Sequence, residues 1–295
     1  MKVSVLIAAY QAGPTVGQAI ASVQAQTHRD WEIVVVEDGS HDETEPIVRA
    51  AAAHQTQPMR YDNLGANRGV AAARNRLLLL ASGDAIAFLD ADDRWEPGHL
   101  AAGVRLLESG ADFVATGVRT FDLVTGRTLL DQRPPAALAT EPVAVLFQVS
   151  AIITSSSVLA TSELVAQTGD FDSGFSVGED RDYWLRAALD GQRFAVSPEP
   201  TCLYAKHAKS TMSRTQLVAA QTVRFYEKYF GLAAIPAAQR RKLLAGSLVD
   251  EGRLLRHVHP RESVRQLWRA WRLVPFNLTA AAHLLRSGSQ VAFGS

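Results

Sequence analysis

Two aspartates one residue apart, Asp90-Ala91-Asp92, close the apolar run Ile86-Ala87-Phe88-Leu89. A buried strand that ends in paired carboxylates presents hard oxygen donors at the rim of a sheet. Such donors suit Mg²⁺ or Mn²⁺ better than zinc, and a diphosphate can share the ion. Asp92 is the first candidate for a direct metal ligand, and Asp90 is a candidate ligand or ribose contact. Asp93 follows at once and reads as an N-cap, while Asp84 belongs to the turn before the strand. Three carboxylates so close repel one another unless a cation or a basic group compensates. Aspartates are common after strands, so this pattern takes its weight from four further clusters.

One cluster pairs Ala8-Ala9-Tyr10 with Glu37-Asp38-Gly39-Ser40, each just past a strand. Asp38 can accept a hydrogen bond from a nucleobase N–H, Tyr10 can lie against the base, and Gly39 permits a tight turn. The same residues also fit a plain strand-to-helix connection capped by Asp42. A second cluster runs from Asn67-Arg68-Gly69 to Ala73-Arg74-Asn75. Gly69 near a helix start leaves backbone N–H groups for an anion. Arg74 can reach a base or a phosphate, or pair with a carboxylate on the helix surface.

A third cluster is Gly178-Glu179-Asp180-Arg181-Asp182-Tyr183-Trp184. On a helix, Asp180 and Trp184 are four apart and share a face. Trp184, Leu185, Ala188 and Leu189 make an inward stripe, which turns Asp180 inward and leaves Asp182 with Arg186 as a surface pair. An inward carboxylate beside an indole suits a general base for an acceptor hydroxyl, with Glu179 as the alternative. Both acids also complement the helix dipole. The fourth cluster, His207-Ala208-Lys209-Ser210, is a polar loop. His207 can serve as a further metal or phosphate ligand and Lys209 can neutralise phosphate charge; a loop of ordinary polar residues is the other reading.

These residues need elements to hold them. Val3–Ala8, Trp31–Val36, Met59–Asp62 and Ala85–Leu89 read as strands. Helical patterns alternate with them at Pro14–Gln26, Asp42–His54 and Gly69–Ala81. This alternation predicts a mostly parallel sheet covered on both faces, with ligands beyond the carboxyl ends of its strands. Asp38 and Asp90 both sit at such ends. Further on, 112–133 is β-like with a turn at Thr125-Gly126, and Ile152–Leu159 reads as a strand. A short helix is expected near Ser162–Gln167, another from Gly178, and short strands at Arg193–Val196 and Thr201–Ala205. From Thr215 onward the pattern is helical. The expected organisation is a catalytic domain over 1–214, with a nucleotide-binding half to about residue 95 and an acceptor half over 96–214, then a helical extension over 215–295.

The 295 residues are 47% apolar, enough for a sizeable core. A single cysteine, Cys202, excludes an intrachain disulfide and reads as a small apolar strand residue in a reducing compartment. The first residues are too short and too soon polar for a signal peptide, and no apolar run approaches the ~20 residues of a membrane span. The expectation is a cytoplasmic protein, either soluble or held at the inner membrane face. Net charge is zero, yet ten Lys and Arg against three Asp and Glu lie from Arg240 to Ser295. The acidic remainder argues against nucleic-acid binding, whereas the basic tail suits an anionic surface. Pro260 and Pro275 bracket a helix with Val264, Leu267, Trp268, Trp271 and Val274 on one stripe and Arg261, Arg265, Arg269 and Arg272 mostly opposite. Such a helix can lie on an anionic membrane or pack on the core.

Taken together, Val3 to Tyr10, Val36 to Ser40, Asn67 to Asn75, Phe88 to Asp93, Gly178 to Asp180 and His207 to Ser210 resemble the family 2 inverting glycosyltransferases, over about the first 215 residues. The resemblance implies a GT-A fold, a Rossmann-like sheet flanked by helices. It implies a nucleoside-diphosphate sugar as donor, a UDP-sugar first among them, and a Mn²⁺ or Mg²⁺ ion on the D-x-D. By the same resemblance Asp38 binds the base; Ala8, Tyr10, Arg74, Asp90 and Ala91 line the donor pocket. Asp92 holds the metal with His207, Asp90 being a further candidate, and Asp180 is the base. Two positions depart from the family pattern: Ala8 stands where a proline is common, and Glu37 where an aspartate is usual. The implied reaction is single displacement onto a glycan or lipid-linked acceptor, in bacterial surface glycan or glycolipid synthesis. A nucleotidyltransferase would carry a basic, Gly-rich loop near its N-terminus, and 8–15 has one glycine and no Lys or Arg. A non-catalytic nucleotide-sugar-binding protein is the remaining alternative.

Overall fold

A computed structural model describes residues 1–148, 153–207, 214–275, 279 and 282–284. Apolar, β-branched runs form the first strands, β1 (Val3–Ala9), β2 (Trp31–Glu37), β3 (Met59–Asn63) and β4 (Ala85–Asp90). They lie in the order β3-β2-β1-β4, all parallel. Helices α1 (Val16–Gln24), α2 (Thr44–Ala53) and α3 (Val70–Leu80) make the crossovers. β1, β2 and β4 are buried almost without interruption, as parallel strands covered on both faces must be. The strand order reverses between β1 and β4, so the ligand-binding switch point falls beside their carboxyl ends. There Ala8 stands in register with Asp90 on one side and Val36 on the other.

The sheet continues as a mixed array. β8 (Val158–Thr161) runs antiparallel between β4 and β6 (Phe113–Asp122). β6 then pairs in parallel with β9 (Phe194–Lys206) and antiparallel with β7 (Thr128–Gln132), and β5 (Arg94–Trp95) closes the far edge on β9. Helices α4 (His99–Glu108), α5 (Pro142–Gln148), α6 (Ser162–Thr168) and α7 (Glu179–Leu189) belong to the same unit, Met1–His207. Three details differ from the sequence expectation. The patterns imply no element where α4 and α5 stand. The strand expected over Ile152–Leu159 begins only at Val158, because Thr154 accepts a hydrogen bond from the Ser156 N–H and winds Ser155–Ser157 into a 3₁₀ turn; 149–152 lie outside the described residues. The two short strands near 193–205 are one strand, β9, which keeps its pairing to β6 across a register shift.

The second unit, Ala208–Ser295, contains α8 (Thr215–Lys228), α9 (Ala237–Leu255) and α10 (Pro260–Leu273). α10 packs on α9 through Ser263, Gln266, Leu267 and Ala270. A Cβ on Gly252 would lie 2.8 Å from Leu267 Cγ, so the close approach needs glycine there. The stripe expected on this helix is therefore displaced: of its members only Leu267 is buried, while Trp268 and Trp271 are exposed. Small residues sit inside because the helices approach too closely for indoles. No helix among the described residues is long and apolar enough to cross a membrane.

At the amino end of the sheet, Glu32 is buried and ties three segments together. It accepts hydrogen bonds from Ser4 Oγ at 2.6 Å, from the Ser82 N–H and hydroxyl at 2.8 Å, and from Lys2 Nζ at 3.0 Å. Burial pushes this carboxyl up, but the donors outweigh it and hold the pKa at about 2, below its ordinary 4.5. A carboxylate depressed on folding stabilises the fold above its unfolded pKa, and that contribution fades as pH falls through the interval. Glu32→Gln is therefore expected to cost on the order of 2–3 kcal/mol at pH 7. Urea unfolding at a series of pH values should show the gap to wild type closing between about pH 4.5 and 2; a pH-independent gap would remove the ionised carboxylate as its source.

Candidate active site

The loops after β1 and β2 are laced together. The Asp38 N–H bonds to Ala9 O at 2.8 Å, and the Gln11 N–H donates to Ser40 Oγ at 2.8 Å. Ala12 and Gly13 donate their N–H groups to Thr44 Oγ1 and Asp42 Oδ2. Gln11 has φ +49°, a left-handed conformation rare outside glycine and a sign of a loop held to shape. Tyr10 beside it is half exposed and free to face a planar ligand. Gly39 is required for two reasons: its φ is +69°, and a Cβ would lie 2.5 Å from the Ala66 backbone.

Asp38 is buried, and its two oxygens accept the N–H groups of Arg68 at 2.7 Å and Gly69 at 2.8 Å. The N–H groups expected to be available to an anion at Gly69 are thus satisfied by the chain's own carboxylate. Each Asp38 oxygen retains a lone pair, so the group still has capacity to accept from a base.

Arg74 departs furthest from expectation. It is buried rather than on the helix surface, and its guanidinium bridges two carboxylates, Asp90 Oδ1 at 2.8 Å and Glu179 Oε1. It lies over the Phe171 ring, 5.6 Å from the centroid, and Asn75 fixes that ring's backbone by a hydrogen bond in each direction. In this arrangement Arg74 contacts carboxylates in the place of a base or phosphate. It joins the strand-end pair on β4 to the acidic start of α7.

α7 carries Glu179, which is buried, and Asp180, which is half-buried. Asp180 accepts from its neighbour's N–H at 2.7 Å and lies 3.3 Å from Ser155 Oγ. Burial pushes both carboxyls up, against the pull of Arg74, and brings Glu179 to about 7. Trp184 is buried in an aromatic cluster with Phe88, Phe113 and Phe171. Two expectations for this helix fail. Leu189 is exposed, and Asp182 is fully buried, not at the surface. Asp182 pairs with Arg186 at 3.1 Å, and Arg186 also donates to the carbonyls of Thr168 and Asp170, which lead into Phe171.

Asp92 is the more open carboxylate of the strand-end pair, and His207 Nε2 lies 2.9 Å from its Oδ2. Ala91 between them is buried, which leaves only its backbone to face a ligand, and Ala8 is half-buried at the end of β1. Lys209 and Ser210 lie outside the described residues. Burial first, then the charge of Asp90, raises the Asp92 carboxyl, and His207 lowers it. Asp93 is not an N-cap: β5 follows it, and α4 starts only at His99. Asp93 is fully buried, accepts from Ser156 Oγ at 2.5 Å and from the Ala205 N–H at 2.8 Å, and its carboxyl is pushed well up by burial and by Asp92 and Asp90. The Ser156 hydroxyl in turn accepts the Asp90 N–H at 3.0 Å. Ser156 and Asp93 thereby tie the D-x-D turn to β9, the strand that delivers His207. The sequence carries no mark of this link beyond a third aspartate and a run of serines.

The residues present fit a divalent cation. Asp90, Glu179 and Asp180 gather around the buried guanidinium of Arg74, and Asp92 and Asp93, on the same strand-end turn as Asp90, are raised first by burial and then by their neighbouring carboxylates. No preassembled group of three His, Cys, Asp or Glu ligands occurs among the described residues. Mg²⁺ characteristically takes one or two carboxylates and completes its shell with substrate phosphates and water.

A Rossmann-like sheet with a carboxylate pair at the switch point and a mixed far half defines the GT-A class of fold. Solved structures with that architecture superpose on the whole chain. Staphylococcus aureus TarS 1–349, in complex with UDP-GlcNAc, covers 100% of this chain and 93% of its own at TM-score 0.70 and 18% identity. The mannosyltransferase PcManGT of Pyrobaculum calidifontis, in complex with GDP-Man and Mn²⁺, covers 100% and 88% at TM-score 0.62 and 18% identity. The family model described as glycosyl transferase family 2 matches residues 4–160, and the chain belongs to that family. Among curated relatives, the Escherichia coli UDP-Glc:alpha-D-GlcNAc-diphosphoundecaprenol beta-1,3-glucosyltransferase WfaP is 31% identical over 128 residues, 39% of this chain and 50% of its own. The aligned region spans 38%, 44% and 59% of three other such relatives.

Arg74→Met is expected to leave Asp90 and Glu179 as uncompensated buried charges and to cost about 3–5 kcal/mol. Adding Glu179→Gln should restore part of that loss, since the two sites are directly coupled. Urea unfolding of the singles and the double checks it; strictly additive losses would show that the bridge carries no coupling.

Proposed function

We propose that the protein transfers a sugar from a nucleoside-diphosphate sugar to an acceptor hydroxyl, with inversion at the anomeric carbon. The observation that carries this reading is the Arg74 bridge. One guanidinium spans Asp90, at the strand end suited to a diphosphate, and Glu179, beside the carboxylate suited to a base. The strand-end pair and the acidic start of α7 are thereby joined in one cluster, which supports a displacement with leaving group and base on its two sides. Family membership and the donors bound by the structural neighbours support it. UDP is the nucleotide we favour, as in WfaP and the TarS complex.

Asp38 and Tyr10 hold the base, with Ala8 and Ala91 lining the pocket at the strand ends. Asp92, with His207 and Asp90, would hold Mn²⁺ or Mg²⁺, which supplies positive charge to the diphosphate as it leaves. Asp180 takes the proton of the acceptor hydroxyl. The acceptor oxygen bonds to the anomeric carbon as the bond to the diphosphate oxygen breaks, so no covalent enzyme intermediate forms. Asp180 is preferred to Glu179 as base because it is the less buried of the two and Glu179 is committed to Arg74. The acceptor we favour is a lipid-linked glycan met at the cytoplasmic membrane face, the acceptor class in the name of WfaP.

Two outcomes test the assignment. In thermal melting, UDP with Mn²⁺ should stabilise the protein and EDTA should remove the effect, since a ligand that binds only the folded state raises its melting temperature. Asp92→Ala should abolish this metal-dependent shift, and an undiminished shift would refute Asp92 as a ligand. Asp180→Asn should lower turnover of a UDP-sugar by roughly 10²–10⁴-fold with donor affinity retained. In the wild type, turnover should fall as pH drops through an apparent pKa above the ordinary aspartate range, because the raised carboxyl must be ionised to act. Near-normal turnover of the variant would remove Asp180 as base.

A further inference from the structure

α10 turns a cationic tryptophan face away from its own packing surface. With ~100° per residue, the buried side chains Ser263, Gln266, Leu267 and Ala270 centre on one direction, and Arg261, Arg265, Trp268 and Arg272 lie within roughly 30° of the opposite one. Trp268 is 49% exposed and Trp271, on the flank, is 42% exposed. The Arg272 guanidinium lies over the Trp268 ring, 4.7 Å from its centroid. Among the described residues, no carboxylate lies within salt-bridge distance of Arg261, Arg265 or Arg272, and Arg265 acts on Glu251 of α9 only through space. Arg269 is different: it donates to Gln266 and Glu227 and belongs to the packing of this unit.

We propose that this face of α10 seats the protein on an anionic lipid bilayer. Charge selects the occupant. Three cations outside any salt bridge share the face of one indole, Arg272 lying over its ring, within a segment where ten Lys and Arg stand against three Asp and Glu. An indole flanked by arginines suits the headgroup region, where the ring lies at the apolar boundary and the guanidinium groups meet lipid phosphates. A second copy of this helix would set arginine against arginine.

The protein carries its own reporter. Trp31, Trp95 and Trp184 are buried, so the solvent-exposed part of the indole emission comes from Trp268 and Trp271. Phosphatidylglycerol–phosphatidylethanolamine vesicles at about 0.1 M salt should shift the full chain's emission to the blue, and phosphatidylcholine vesicles should not. The shift should vanish near 1 M salt, where the screening length falls from ~10 to ~3 Å. Arg261→Gln/Arg265→Gln/Arg272→Gln should weaken binding on the order of 100-fold, with little change in melting temperature, because none of the three makes a salt bridge and Arg265 acts on Glu251 of α9 only through space. Trp268→Ala should reduce both shift and affinity. No shift on anionic vesicles overturns the proposal. So does an equal shift on neutral vesicles, which would mean apolar insertion alone, or a shift that grows with protein concentration without lipid, which would mean self-association. Stabilisation by UDP and Mn²⁺ is expected to be unchanged in the triple variant, so failure of this proposal and failure of the donor-site reading are separate results.

Discussion

The arrangement of the site depends on one buried guanidinium shared by two carboxylates. Asp90 and Glu179 come from β4 and α7, elements that sequence separates widely, and both close on Arg74 of α3. Burying a guanidinium is costly, and burying it with one carboxylate balances the charge. Here further carboxylates crowd the same space, and the balance tips to the negative side. Burial first, and then the nearby carboxylates, raises the carboxyls of Asp92, Asp93, Glu179 and Asp180. A fold tolerates such a surplus where it is answered by something the chain does not supply: a cation, a proton, or both.

The geometry around the bridge serves to hold these charges in place. Phe171 lies beneath Arg74, and its backbone is pinned by Asn75 from one side and reached through Arg186 and Asp182 from the other. Ser156 and Asp93 do the same for the strand-end turn. On the nucleotide side, Asp38 satisfies the N–H groups of Arg68 and Gly69, and the loop bearing Gln11 is tied down by Ser40, Asp42 and Thr44. A carboxylate already locked by its own chain would need no reorganisation to receive a base in the role proposed for Asp38, which would lower the entropic cost of binding.

The parallel half of the sheet was legible because its signals are local. β-branched apolar runs, helical spacing and strand-end carboxylates lie within a few residues of one another, and Asp38, Asp90 and Asp180 could be singled out on that basis. Asp93, Ser156 and the true environment of Arg74 were not legible, because their partners lie far along the chain and no short pattern marks them. Asp182 and Leu189 were misplaced for a different reason. A wheel argument assumes one inward stripe, but α7 buries Glu179, Arg181, Asp182, Tyr183, Trp184, Leu185, Ala187 and Ala188, nearly its whole circumference. On α10 the wheel was sound and the weighting was not. Side-chain size, not hydrophobicity, decides which face meets a helix that approaches at a glycine.

The two acids at the start of α7 show how one local motif acquires two roles. They have neighbouring positions, the same dipole and the same cation nearby. Glu179 is the longer side chain, reaches Arg74, and is buried in doing so. Asp180 is one methylene shorter and rests against its own backbone and Ser155. Exchanging the two side chains would pull the ion pair apart and put a longer acid against Ser155. The order Glu-Asp is thus a consequence of reach: the residue that holds the bridge must extend to Arg74 on α3, and the acid we propose as base stops short of it.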